Sequence, residues 1–196
     1  KRGNLAGTYK MKQFLLILNI CLALQAAAGT ITVGKQKQFT SITAAIAAAK
    51  PGDTIIVDKA VYREQNIIIS KPLVLKGIDH PVIDAENKYE NISIRADNVT
   101  VDGFLLQHTA VSSIVDYAAI KIYNRRNATI INNIVNDAFF GIYSQYGIRC
   151  LIKNNVLTGD GKTEQESGNG IHCWKSDSMQ IIGNTISGHR DGIYFE

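Results

Sequence analysis

The 196-residue sequence predicts an all-β fold, a right-handed parallel β-helix with coils of about 22 residues and a short N-terminal capping helix. Three observations predict it: an internal repeat, short β-rich runs separated by Asn/Gly turns, and one alanine-rich segment ahead of the first run. Ile120, Ile142, Ile171 and Ile193 are spaced by 22, 29 and 22 residues. Asn133, Asn155 and Asn184 are spaced by 22 and 29, and each follows its isoleucine by 13. The seven extra residues fall in the polar stretch Asp160–Ser167, which is expected to bulge from one coil as a loop. A looser copy, "ADNVTVDGFLL" at Ala96–Leu106, parallels "RNATIINNIV" at Arg126–Val135. Coils of such a repeat stack at the ~4.8 Å strand spacing. Aligned asparagines then hydrogen-bond from coil to coil and satisfy polar groups at a tight buried turn.

The elements follow in order. Residues 1–28 read as upstream residues plus a secretory signal peptide starting near Met11. Lys12 makes its beginning basic, Phe14 to Leu24 is apolar apart from Asn19, and Ala26-Ala27-Ala28 supplies small residues before Gly29. The apolar run is shorter than the ~20 residues of a membrane-spanning helix. Cys21 follows Ile20 rather than a small residue, which argues against a lipoprotein. Residues 29–196 form the β-helix domain, expected to be incomplete at its C-terminus because Glu196 follows the start of a coil. Within it, "FTSITAAIAAAK" at Phe39–Lys50 reads as a helix capped by Thr40 or Ser41, with Ile42, Ala45, Ile46 and Ala49 on one face. Its place is over the open end of the solenoid, where it protects an edge. Pro51-Gly52-Asp53 ends it, and from Thr54 onward the chain reads as strand, turn, strand.

Composition excludes some functions. The net charge of +4 suggests an anionic partner, yet Lys1, Arg2, Lys10 and Lys12 account for all of it. Without the leader the chain has 17 basic and 17 acidic residues, so no electrostatic case for nucleic acid remains. Only Cys150 and Cys173 stay in the exported chain, too few for a disulfide framework.

Alternation assigns faces. Ile142, Ile171 and Ile193 point inward, with Ser144, Cys173 and Phe195. Tyr143, His172 and Tyr194 point outward in one column, and Gln145, Trp174 and Glu196 in the next. Ala128, Cys150 and Met179 align as a further core column, so both cysteines read as packing residues. The outward aromatics Tyr143, His172, Trp174 and Tyr194, with Arg190 and Asp191 in the adjoining turn, are the partner-surface candidates. His172, Met179 and His189 are the candidate metal ligands, although their spacing matches no closed site. No catalytic residue is assigned. Polysaccharide cleavage needs clustered carboxylates or a base beside cation-binding acids. Asp177, Asp191 and Arg190 are the only local candidates for that chemistry, and Arg190-Asp191 also reads as a turn ion pair.

"FTSITAAIAAAKPGDTIIV" and "ADNVTVDGF" resemble pectin-lyase-like solenoids in general. "GNGIHCWKSDSMQIIGNTISGHRDGIYFE" is more specific and resembles the NosD family, the periplasmic maturation proteins of nitrous oxide reductase. The shared motif positions are Gly170, Ile171, His172, Gly188, His189, Arg190, Asp191, Gly192, Ile193 and Tyr194. The resemblance implies an exported β-helix scaffold with no reaction of its own, which helps mature the reductase's copper–sulfur cluster. Its implied partners are an ABC transporter (ATPase and permease), a copper chaperone and the reductase. It implies a periplasmic protein, peripheral to the membrane through the transporter. No cofactor is fixed by the residues, and copper is the metal toward which the resemblance points. The alternative is a secreted polysaccharide lyase, hydrolase or epimerase of the pectin-lyase-like group; a cell-surface β-helix binding module is a third reading.

Overall fold

The computed structural model describes residues 28–161, 163 and 166–196. The expected signal peptide, apart from Ala28, lies outside the described residues. Strand β1 (Thr30–Val33) and helix α1 (Ile42–Ala48) precede six coils of three short strands each. The first coil is β2 (Thr54–Val57), β3 (Val61–Tyr62) and β4 (Ile67–Ile69). The second is β5 (Val74–Gly77), β6 (Val82–Asp84) and β7 (Ile92–Ile94), and the third β8 (Thr100–Asp102), β9 (Leu105–Gln107) and β10 (Ala118–Tyr123). The fourth is β11 (Thr129–Ile131), β12 (Ile134–Asn136) and β13 (Phe140–Gln145), and the fifth β14 (Leu151–Lys153), β15 (Val156–Thr158) and β16 (Ile171–Trp174). The sixth is β17 (Gln180–Ile182), β18 (Thr185–Ser187) and β19 (Ile193–Phe195). Corresponding strands pair in parallel, giving three stacked sheets. Sheet A begins with β1 and takes the first strand of every coil; sheets B and C take the second and third. The protein is therefore a parallel β-helix.

The repeat read from the sequence is the stacking register. Ile120 pairs with Ile142, Ile142 with Ile171 and Ile171 with Ile193. The looser copy also aligns, with Thr100 beside Thr129 and Leu105 beside Ile134. Two earlier coils carry no Asn or Gly phrase, yet Ile55 stacks on Leu75 and Leu75 on Val101. The inward rows fill one continuous core in which Ile55, Leu75, Val101, Ile130 and Ile152 are fully buried.

The asparagines form the expected ladder. The backbone N–H and side-chain amide of Asn133 donate to Asn155 Oδ1 at 3.0 and 3.1 Å. Asn155 does the same to Asn184 Oδ1, at 2.9 Å for both. Their amides also reach the carbonyls of Val101, Ile130 and Ile152. In the coil before, Phe104 takes the position instead; its N–H donates to Asn133 Oδ1 and its ring fills the core. The residue ahead of each ladder position is left-handed: Gly103, Asn132, Asn154 and Gly183, with φ of 78°, 56°, 55° and 63°. Asn and Gly are the residues that adopt this conformation most readily, hence the Asn-Asn and Gly-Asn pairs.

Helix α1 covers one end of the core, with Ile42, Ala45, Ile46 and Ala49 buried as the apolar face predicts. Ser41 is the N-cap. The helix is shorter than the Phe39–Lys50 segment read as helical. At its N-terminus the Glu64 carboxylate accepts the Ile42 and Thr43 N–H groups at 2.8 and 2.9 Å and the Ser41 hydroxyl at 2.9 Å. At the other end Lys71 Nζ donates to the carbonyls of Ala47 and Ala49. Opposite charges thus sit at the two ends of the helix dipole.

Candidate functional site

The outer face of sheet C gathers the chemistry-bearing residues. Ile92, Ile120, Ile142 and Ile171 point into the core. The next residue in each strand therefore points out, and register stacks Ser93, Lys121, Tyr143, His172 and Tyr194 in one column. The phrase Gly-Ile-Tyr/His begins these strands for a packing reason. A Cβ on Gly141 would stand 2.5 Å from the Gly170 carbonyl oxygen, and one on Gly170 2.8 Å from that of Gly192. The three glycines let the backbone stack closely where the chain enters sheet C.

Facing outward does not leave this column exposed. Tyr143 and His172 are 5% and 6% exposed, which corrects their assignment to the solvent surface. Phe140 leans over them, edge-on, at 5.1 Å from the Tyr143 ring and 5.4 Å from His172. With Ala118, Phe139 and Trp174 these residues make a second small apolar cluster outside the main core. Alternation predicts direction but not which residues, here Phe140 at the start of β13, lie on top. Two long excursions, β9 to β10 and β15 to β16, leave the helix at the same B–C corner. They flank a cleft of about 270 Å³ lined in part by Asn87, Thr109, Asp137, Asp160 and Glu166.

The His172 ring lies flat on Tyr143, centroids 4.5 Å apart and 6° from parallel. Asn169 fixes its tautomer. Asn169 Oδ1 accepts from Arg190 Nη2 at 3.3 Å, so its amide faces His172 Nδ1 at 2.9 Å and donates to it. Nδ1 is then the acceptor and Nε2 carries the proton, 3.6 Å from the Glu196 carboxylate. Burial pushes the imidazole below its ordinary value, against the pull of Glu196 and Asp116, so the ring is neutral at pH 7.

Further along the column lies a set of residues that sequence reasoning missed. Lys121, 6% exposed, donates to the Asp116 carbonyl at 2.8 Å. Its ammonium lies over two rings, 4.6 Å from Tyr143 and 5.2 Å from Tyr123. Glu90, 4% exposed, accepts from Tyr123 Oη at 2.9 and 3.0 Å and from Ser93 Oγ. The Arg95 guanidinium caps the Tyr123 ring at 4.1 Å. Burial raises Glu90 and lowers Lys121, each against the attraction of the other. It also raises both tyrosines. A line of perturbed titratable groups marks a site candidate. Here the groups satisfy one another and form a stiff polar and aromatic spine. Lys121 was legible as the one charged residue in "AAIKIY", in register with Tyr143; Glu90 has no counterpart in the repeat.

The rest of the predicted surface flanks this spine. Trp174 is half-buried and packs on Tyr146 at 4.8 Å, with Lys175 over it at 5.1 Å. Tyr194 is 39% exposed. Arg190 and Asp191 form the expected turn ion pair at 3.4 Å. Phe195 lies in the inward row beside Cys173, yet on the outermost strand of sheet C it is 56% exposed, against the expectation of burial.

The proposed metal set does not converge. His172 lies outside sheet C, whereas Met179 packs against the core inside, its sulfur 4.0 Å from Ser144 Oγ. The ring nitrogens of His189 are buried without a hydrogen-bond partner near Gly159, and burial pushes this imidazole down. Among the described residues no three of His, Cys, Asp and Glu come together as a metal-holding group. Cys150 and Cys173 are buried in the main core and Met179 packs against it, as their reading as packing residues expects.

Comparison with known proteins gives three results. In Stutzerimonas stutzeri a curated relative, "Probable ABC transporter binding protein NosD", is 27% identical over 126 residues. The match covers 63% of this chain and 29% of the relative, so the chain spans under a third of that protein's length. Two crystal structures of Aspergillus niger pectin methylesterase, deglycosylated and penultimately deglycosylated, are 15% identical with TM-scores of 0.39 and 0.36. Each covers 87% of this chain and 84% of the solved one. The family model described as "Periplasmic copper-binding protein (NosD)" matches residues 47–196, all six coils included. The chain belongs to the NosD family.

Proposed function

We propose that this chain is an exported scaffold that works with an ABC transporter to mature the copper–sulfur cluster of nitrous oxide reductase. The observation that carries the reading is the family match across all six coils. The printed name of the Stutzerimonas relative, a transporter-binding protein, supports the choice of partner. The family description supports a periplasmic location and a dealing with copper, which on this reading is cargo. The spine fits the role. A face stiffened by stacked rings and by buried Lys121 and Glu90, each bonded to its neighbours, holds its flanking residues in fixed positions, and a docking surface gains from that preorganisation. Trp174, Tyr146, Tyr194 and Arg190 are the accessible part of that face and the proposed contact with the transporter or the reductase.

Affinity purification of the tagged, exported chain from membranes of a nitrous-oxide-respiring bacterium tests this. The permease and ATPase co-purify, and Trp174→Ala with Tyr194→Ala lowers their recovery by about tenfold, the loss of two aromatic anchors. Recovery of the wild-type chain free of both transporter subunits contradicts the reading.

A further inference from the structure

Residues 29–196 carry 17 basic and 17 acidic residues, yet the fold sorts them by corner. Four turns lead from sheet C into sheet A, between β7 and β8, β10 and β11, β13 and β14, and β16 and β17. They hold Arg95, Arg125, Arg126, Arg149 and Lys175 against two acids, Asp97 and Asp177. The B–C corner of the same four coils has the opposite balance, with Glu86, Glu90, Asp116, Asp137, Asp160 and Glu166 outnumbering its bases. Register stacks the basic turns over one another: Arg126 bridges to Ile148, and Ile148 to Asp177. At the ~4.8 Å strand spacing they make a ridge about 14 Å long. Both acids are engaged locally. Asp97 accepts the Arg126 backbone N–H at 2.9 Å, and Asp177 the Ser178 hydroxyl at 3.2 Å. Among the described residues none of the five cations forms an ion pair, and Arg125 Nε is buried without a hydrogen-bond partner.

Backbone conformation singles out two of these cations. Asn98, Asn127, Arg149 and Ser178 hold matching places, all left-handed, with φ of 56°, 55°, 54° and 54°. Asn124, Tyr146 and Lys175 form a second such row, at 51°, 53° and 47°. Asn suits this conformation and a long side chain carries a cost there, so Arg149 and Lys175 stand where the coil alone would favour Asn. Their neighbours hold the charged heads in place. Arg149 Nε donates to Asn127 Oδ1 at 3.2 Å, Lys175 lies over Trp174 and Tyr146, and Arg95 lies over Tyr123. We infer that this C–A corner is the docking surface for a carboxylate-rich segment of a partner protein. The inference rests on the reading of the Trp174–Tyr146 face as a partner contact and names that partner's chemistry. Arg, Trp and Tyr side by side are the composition of a protein-binding hot spot, and guanidinium groups take carboxylates through paired hydrogen bonds. A lipid surface fits less well. It calls for protruding aliphatic side chains, and Ile114 (90% exposed) and Val111 (55%) lie on the excursion at the B–C corner instead.

The probe is fluorescein-labelled poly-L-glutamate, titrated with the full exported chain at low salt. The chain binds it, and binding weakens as NaCl rises past about 0.1 M, where charges are screened beyond about 10 Å. Arg126→Glu with Arg149→Glu lowers the affinity by more than about tenfold, because like charges then face each other. Lys76→Glu with Lys153→Glu makes the same change of net charge on the outer face of sheet A and leaves affinity within about twofold. Arg149→Asn separates binding from folding. Asn127 already holds the matching place one coil away and donates to Asn98 Oδ1 at 3.0 Å. The urea midpoint therefore holds or rises in Arg149→Asn while affinity falls by about threefold. Equal losses from the two paired reversals, unchanged affinity in Arg149→Asn, or binding of phosphatidylglycerol vesicles in place of poly-L-glutamate each overturns the inference. Transporter subunits that still co-purify with a chain unable to bind poly-L-glutamate sink the docking chemistry and leave the scaffold reading standing.

Discussion

Asn155 is held from both sides: it accepts two hydrogen bonds from Asn133 and donates two to Asn184, and its amide also reaches the Ile130 carbonyl. Asn155→Ala strips partners from three neighbours at once in a buried turn. The expected loss is roughly 2–4 kcal/mol, read as a lower urea midpoint with unchanged slope. Asn184→Ala, in a half-buried position, costs less. The two depressed imidazoles set an acid limit. The unfolded chain holds their protons more tightly between the ordinary value of 6.5 and the lower folded values. The stability tied to the neutral rings is therefore present above about pH 6.5 and is lost as pH falls through that window. His172 faces Glu196, Asp116, Arg190 and Tyr143, and of these charges the acids oppose the shift without overcoming it. His172→Gln with His189→Gln is expected to flatten the decline between pH 6.5 and 5 in urea-melt stability, relative to wild type. Glu90 has the opposite sign: its raised value favours folding below its ordinary 4.5 and loses that contribution as pH rises.

At the scale of single elements, α1 depends on a residue far from it in sequence. Glu64 accepts two of the helix's free N–H groups and the Ser41 hydroxyl. Glu64→Ala is expected to cost about 1–2 kcal/mol, as loss of a strong N-cap does, and to fray α1 in amide exchange before the coils open. Ser41→Ala in the Glu64→Ala background adds less than it does alone, because the two share one cap. The helix itself was legible, since alanines and a four-residue apolar face belong to local sequence. Its outside cap was not, because nothing local marks Glu64. The coils were legible wherever Ile, Asn and Gly recur in phase. The first two coils were not, since they stack through ordinary Val, Leu and Ile residues with no turn phrase. The spine on sheet C was half legible: alternation gave its direction, while its burial depends on how Phe140 and its neighbours fold over the column. Glu90 and Asn169 entered the site only through the fold.

At the scale of the molecule, the described residues form a solenoid with a helix over one end and a sheet face stiffened by stacked rings and charges. No helix among the described residues is long and apolar enough to cross a membrane. The proposed role rests on the family match across the coils and on that face. The most direct measurement is made on the reductase. The gene is deleted from a nitrous-oxide-respiring bacterium, the reductase is purified, and its copper content and cluster spectrum are recorded. The maturation role predicts a reductase lacking the copper–sulfur cluster, with copper and spectrum restored when the gene is returned. A reductase from the deletion strain with full copper content and an unaltered cluster spectrum contradicts it.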